Sequence, residues 1–186
     1  MTESAIAMLN ERFGRDGAVR FGEGRGGMPL LRLGYGRANV EIYLQGAQVT
    51  RYQPVADIDA LWMSESASYR PGKALRGGIP LCWPWFGAAR DNPERPQHGY
   101  ARNAEFSVVS TSADADATSV TLALDPARAP FPDWQNRLQL EVEIRLSDSL
   151  WMEMRSSNLD SAALTLSNAL HSYLEISGRE AISIPA

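Results

Sequence analysis

Thiols and imidazoles are scarce in this chain: its 186 residues hold one cysteine and two histidines. A lone Cys82 excludes an internal disulfide and cannot build a thiolate metal cage. His98 and His171 stand without a nearby carboxylate pattern, so no metal centre is expected. Long apolar runs are missing as well; none approaches the roughly 20 residues that a bilayer-spanning helix needs. The opening MTESAIAMLNERFG puts Glu3 ahead of a short apolar portion and lacks the basic start of a secretory signal, which points to the cytoplasm. Net charge is -4, so no bulk attraction to nucleic acid or to an anionic membrane is expected. Any anion site must be a local cluster of arginines.

What is present suits one domain with a real core, since hydrophobic residues make up 44% of a chain this long. Ile6, Leu9 and Phe13 fall at helical spacing behind Ser4, a candidate cap, and Gly14 ends that short helix. Residues 14–28 are rich in glycine and charge. The run GEGRGG has no Lys-Ser/Thr and no preceding apolar strand, so it reads as a flexible turn rather than a phosphate loop. Residues 1–28 are therefore taken as a helix and flexible lead-in, and 29–186 as the folded domain. From Leu30 the period changes to two: Leu31, Leu33 and Tyr35 alternate with Arg32 and Gly34, then Val40, Ile42 and Leu44 with Asn39, Glu41 and Tyr43. Further strands are expected over Val49 to Tyr52, Asp59 to Met63, Phe106 to Val109, and Val120 to Leu124. The polar run Ser110 to Thr118 should end the strand at Val109. A proline loop then surrounds Phe131 and Trp134. The clearest strand puts Leu138, Leu140, Val142, Ile144 and Leu146 on one face, and Leu150, Met152 and Met154 return beside it. Two short segments flank His171, and Ala181 to Ile184 reads as one more strand beginning. Nothing after residue 14 reads as a long helix. The pattern is all-β, an antiparallel sandwich or barrel-like sandwich.

One stretch breaks that rhythm: LRGGIPLCWPWFGAARDNPERPQHGYAR, Leu75 to Arg102. Gly77-Gly78 and the prolines at 80, 84, 93 and 96 each interrupt a ladder or fix a backbone angle. Ile79 to Phe86 is too apolar and aromatic for disorder. A long ordered loop carrying Arg76, His98 and Arg102 is where a ligand is expected. Guanidiniums offer planar, paired donors, and Arg76 and Arg102 flanking one pocket would prefer a dianion to a neutral sugar. His98 is held on a tight turn by Pro96 and Gly99. His171, taken alone, reads as a satisfied buried histidine. A Cys82–His98 dyad is disfavoured because thiols in apolar runs are usually inert. Trp83 and Trp85 could stack on a sugar face or fill the core, with at least one of them in the core.

Arg76 to Gly87 (RGGIPLCWPWFG), Gln97 to Arg102 (QHGYAR) and Ala169 to Ile176 (ALHSYLEI) together resemble the hexose-6-phosphate mutarotases. These form the glucose-6-phosphate 1-epimerase branch of the aldose 1-epimerase family. QGAQVTRYQP and DALWMS are similar to that branch's early strands, and the resemblance runs from about Gly34 to the last residue. It implies an antiparallel β-supersandwich and interconversion of the α and β anomers of an aldohexose 6-phosphate, with no metal or cofactor. A carboxylate would take the proton of the C1 hydroxyl while a histidine protonates the ring oxygen. Carried over, His171 is the catalytic histidine and His98 a second pocket histidine. Arg76, Gln97 and Arg102 are substrate-binding positions, the arginines favouring the 6-phosphate. The family's general-base glutamate and a substrate-binding aspartate lie well C-terminal of the histidine, beyond residue 186. The chain therefore reads as the N-terminal two-thirds or so of such a domain, incomplete, with strand edges open to self-association. The competing expectation is a sugar-phosphate binder without the base.

Overall fold

The computed structural model describes residues 2–90, 92–124 and 138–178. The proline loop around Phe131 and Trp134 and the strand expected at 181–184 lie outside them. Within the described residues, one α-helix, α1 (Glu3–Phe13), precedes ten strands, with two single-turn 3-10 helices between strands. Four of these, β1 (Val19–Glu23), β2 (Pro29–Tyr35), β3 (Ala38–Tyr43) and β4 (Gln48–Gln53), form an antiparallel sheet in chain order. Two-residue β5 (Leu81–Cys82) pairs antiparallel with β10 (Ala169–Leu170). A second four-stranded meander holds β6 (Phe106–Ala113), β7 (Thr118–Leu124), β8 (Leu138–Leu146) and β9 (Leu150–Asn158). No described helix is long and apolar enough to cross a membrane.

The core lies between the two large sheets. On β8 the side chains of Leu138, Leu140, Val142, Ile144 and Leu146 are buried, while Gln139 and Arg145 are exposed, the alternation expected for one solvated face. Each such burial is worth roughly 1.5–3 kcal/mol. These residues join Leu31, Leu33, Val40 and Ile42 of the first sheet and Val120 and Leu122 of β7 in a single apolar cluster. Phe13 brings the end of the helix into the same cluster.

Four local expectations are corrected. Strand β1 occupies part of the stretch read as a lead-in turn, pairing Val19 with Leu33 and Phe21 with Leu31. Its two apolar residues are too few to show a period. What fixes it is Asn10, whose Nδ2 donates to the Phe21 carbonyl at 2.9 Å while its Oδ1 accepts the Phe21 N–H at 2.9 Å. The cap falls two residues earlier than expected: Thr2 caps the helix, its Oγ1 accepting the Ala5 N–H, and Ser4 lies inside the first turn. Strand β6 runs on through the polar Ser110 to Ala113, because ladder hydrogen bonds need no apolar side chains; Ser112 and Ser119 even bond to each other at 2.9 Å. The strand expected over Asp59 to Met63 makes only isolated pairings, Leu61 with Leu174 and Met63 with Gly77. Its neighbours change from residue to residue, so no ladder builds.

Candidate active site

The loop from Leu75 to Arg102 is not free of ladders, as its prolines suggested. Gly77 and Gly78 both have positive φ, 111° and 65°. A Cβ on either would collide with backbone, the Trp62 carbonyl at Gly77 and the Val49 carbonyl at Gly78. The bare backbone therefore slips between β4 and residues 61–63, where Ile79 N donates to the Val49 carbonyl and Gly78 N to the Trp62 carbonyl, both at 2.8 Å. On its other side the same segment receives residues 169–173. His171 N donates to the Pro80 carbonyl at 3.1 Å and Tyr173 N to the Gly78 carbonyl at 2.9 Å. That pairing carries His171 to the loop across a long sequence separation.

A second clasp places His98. Its backbone N donates to the Gly87 carbonyl at 2.7 Å, and its Nδ1 accepts the Gly87 N–H at 3.1 Å. His98 has φ 64°, the left-handed turn that Pro96 and Gly99 suggested. The two imidazoles come within 6.1 Å, centroid to centroid. Phe86 touches both rings, at 5.0 Å from His98 and 5.9 Å from His171, and Tyr173 packs on His171 at 4.8 Å. Trp62 closes the row at 5.9 Å from Tyr173. Both tryptophans weighed for stacking are instead core residues. Trp83 donates its indole N–H to Ser156 Oγ at 2.9 Å, and Trp85 donates to the Pro96 carbonyl at 3.0 Å. The exposed aromatic beside the histidines is Phe86, 48% accessible.

Arg102 joins this group through Gln97, its Nη2 donating to the Gln97 carbonyl at 2.7 Å. Its Nε is buried with no partner among the described residues, a donor still unsatisfied. Arg76 is exposed, and its side chain forms no hydrogen bond or ion pair among the described residues; only its carbonyl is engaged, by Ser64 N. The structure thus gathers His98, His171, Gln97 and Arg102, and leaves Arg76 at the start of the segment that passes beneath them. Cys82 is buried on β5, and desolvation pushes its thiol above the ordinary range, away from the reactive thiolate.

The two imidazoles sit in different surroundings. Desolvation holds His98 below the ordinary histidine range, helped by the Arg102 guanidinium and by His171. His98 is therefore neutral at neutral pH. With Nδ1 accepting from Gly87, its proton sits on Nε2, which can donate to a ligand oxygen. His171 has Nδ1 buried without a partner among the described residues, leaving Nε2 as the nitrogen open to solvent. The His98 shift has a consequence for stability. The unfolded chain takes up this proton first, near pH 6.5, so the contribution is complete above that pH and is lost as pH falls through the lower folded value. His98→Asn, which tolerates the positive φ, should flatten the acid side of the curve of Tm against pH. Parallel curves for the two proteins would refute the assignment.

Comparison with known proteins now bears on this geometry. The model of the aldose 1-epimerase family matches residues 29–186. The chain belongs to the aldose 1-epimerase family. Several relatives carry the name "Putative glucose-6-phosphate 1-epimerase". The Escherichia coli protein is 27% identical over 84% of this chain and 52% of its own length. The Cenchrus ciliaris protein is 34% identical over 74% of this chain and 44% of its own. The chain thus spans about half the length of the curated relatives it matches. A crystal structure of a "putative mutarotase (YeaD)" from Salmonella typhimurium superposes with a TM-score of 0.78 at 25% identity, covering 91% of this chain and 57% of that one. The all-β antiparallel sandwich expected from the strand pattern, and its mutarotase-like form implied by the resemblance, is the fold observed. The aromatic wall beside the histidines was only partly readable from the sequence. Tyr173 lies two residues from His171 on an extended segment, so period two puts both on one face. No comparable signal marked Phe86.

Proposed function

We propose that this site interconverts the α and β anomers of an aldohexose 6-phosphate, a reaction of the glucose-6-phosphate 1-epimerase type, in the cytoplasm. The observation that carries the reading is the pairing of His98 and His171 across Phe86 with Arg102 alongside. In this reading His171 Nε2 gives its proton to the ring oxygen while a carboxylate takes the proton of the C1 hydroxyl. The bond from C1 to the ring oxygen breaks and leaves an open-chain aldehyde. Rotation about C1–C2 and the reverse proton transfers close the ring on the other face. His98 Nε2–H holds a sugar oxygen, and Phe86 offers an apolar face to the ring carbons. Arg102, whose Nε still lacks a partner, and the unengaged Arg76 take the phosphate, with Gln97 adding polar contacts. The resemblance puts the base C-terminal of His171, outside the described residues. Glu175 does not serve: its backbone pairs with Ala60 and it lines a different cavity, on the outer face of the β1–β4 sheet.

A second reading has its own observation. Among the described residues no carboxylate bonds to either imidazole. A binder of sugar phosphates that does not turn them over would look the same here. Exchange NMR on glucose 6-phosphate, with the protein's mass in solution measured alongside, separates the two. Anomer exchange above the spontaneous rate supports the epimerase, and a mass above one chain would place self-association at the exposed Leu170 and Leu174 edge in the same reading. Binding without faster exchange favours the second. Glucose itself should bind at least about ten-fold more weakly than its 6-phosphate, a preference that Arg102→Gln reduces. Neither binding nor exchange by folded protein would overturn both readings.

A further inference from the structure

The β6–β9 meander turns a polar face to solvent, and one residue there departs from that pattern. On β9 the alternation that packs Leu150, Met152 and Met154 against the core leaves Trp151 outside, 45% accessible. Its indole N–H has no hydrogen-bond partner among the described residues. Trp151 stands opposite Arg145 of β8, and Ser119 of β7 follows in the same row. A cavity of about 430 Å³ opens over this corner of the sheet, lined by Glu143, Arg145, Ser147, Ser149 and Trp151. Neither histidine lines it.

The polar rim of this cavity is not spent on itself. Glu143 lies directly opposite Glu153, a like-charge placement that costs stability. Arg155 answers Glu153 at 2.8 Å and Glu141 at 3.8 Å, but no guanidinium pairs with Glu143 among the described residues. Arg145 forms no hydrogen bond or ion pair among them either. Its charge is nevertheless felt at the Asp114 carboxylate, which the backbone N–H groups of Asp116 and Ala117 chiefly hold in the charged form. A carboxylate and a guanidinium in one cavity disfavour a ligand of either charge, and the polar rim disfavours a wholly apolar one. What fits is an uncharged ring with a flat C–H face for the indole and hydroxyls at its edge, from which Glu143 accepts and to which Arg145 donates. A pyranose has both.

We propose that this outer corner of the β6–β9 sheet binds a neutral pyranose unit, with the sugar's C–H face on Trp151 and its hydroxyls between Glu143, Arg145 and Ser149. The proposal does not depend on the epimerase reading. NMR of the isotope-labelled full chain tests it, with methyl β-glucopyranoside as the probe. That glucoside is locked at C1 and carries no phosphate, so it is not a substrate for anomer exchange. The signal followed is the Trp151 indole N–H, assigned by its loss in Trp151→Ala or in Trp151→Phe, which keeps a ring on the strand. A saturable shift is expected, half-complete at about 1–10 mM, as befits a small open site. Glycerol has hydroxyls but no flat face, and should leave the signal in place. Glu143→Gln should weaken binding at least about three-fold. His171→Ala should leave it within about two-fold, since that residue does not line the cavity. No saturable shift, an equal shift with glycerol, unchanged binding in Glu143→Gln, or loss of binding in His171→Ala would each overturn the proposal. So would a shift that follows protein concentration rather than sugar, because the indole would then be covered by a second copy of the chain.

Discussion

If the proposed epimerase reading holds, His171→Gln should lower the rate of glucose 6-phosphate anomerisation by about 100- to 10,000-fold, the range for loss of a positioned general acid. The substitution is chosen so that little else changes. The segment is held by backbone, through His171 N to the Pro80 carbonyl and Tyr173 N to the Gly78 carbonyl, and glutamine keeps both bonds. Its side chain is half-buried, so the packing change is modest. A glutamine amide can hydrogen-bond a sugar oxygen but cannot hand over a proton at neutral pH. The loss should therefore fall on turnover, with affinity for glucose 6-phosphate changed by less than about ten-fold. Exchange NMR gives the rate and calorimetry the affinity on the same samples. If the variant retains the wild-type rate, the acid is elsewhere. If affinity and rate fall together, His171 acts mainly in binding, and the acid is another group, since His98 is neutral and its Nε2–H serves as a hydrogen-bond donor.

The two histidines show what a linear reading can and cannot recover. Strand β8 was plain in the sequence because nine consecutive residues obey one rule, apolar inward and polar outward. Strand β1 obeys the same rule for only Val19 and Phe21, and its partner on the helix is the polar Asn10. Hydrophobic periodicity has no access to that kind of bond. The tight turn at His98 was readable because proline and glycine have local backbone meanings. The approach of His171 was not readable from local patterns, since it rests on a two-residue pairing, Leu81 with Leu170 and Cys82 with Ala169. A ladder so short leaves no period, and only the resemblance placed both histidines in one pocket. The tryptophans illustrate a further limit. Composition favours large aromatics as sugar platforms, but Trp83 and Trp85 have polar partners inside and are buried, while the smaller Phe86 is left at the surface.

Gly99→Ala should destabilise the protein by roughly 3–5 kcal/mol, against a total of about 5–15 kcal/mol for a typical domain. Two separate penalties combine. Gly99 has φ 71°, where a residue with a Cβ is strained by roughly 1–2 kcal/mol. The new Cβ would also run into the carbonyl of Trp83, with Pro84 N only 2.8 Å away. That carbonyl cannot move aside, because it accepts the N–H groups of Tyr100 and Ala101 at 2.9 and 3.2 Å, and Trp83 itself is anchored to β9 through Ser156. At this chain length each kcal/mol shifts Tm by about 2–4 °C, so a fall of roughly 10 °C is expected. Gly36→Ala separates the two penalties. Gly36 also has positive φ, 56°, but nothing lies within 4 Å of its virtual Cβ, so it should show the strain alone. Equal losses in the two variants would mean that the contact with Trp83 can relax. A much larger loss at Gly99 would mean that the turn carrying His98 is locked to the core through a backbone contact that admits only glycine, and that the geometry of the site is part of the stability of the fold.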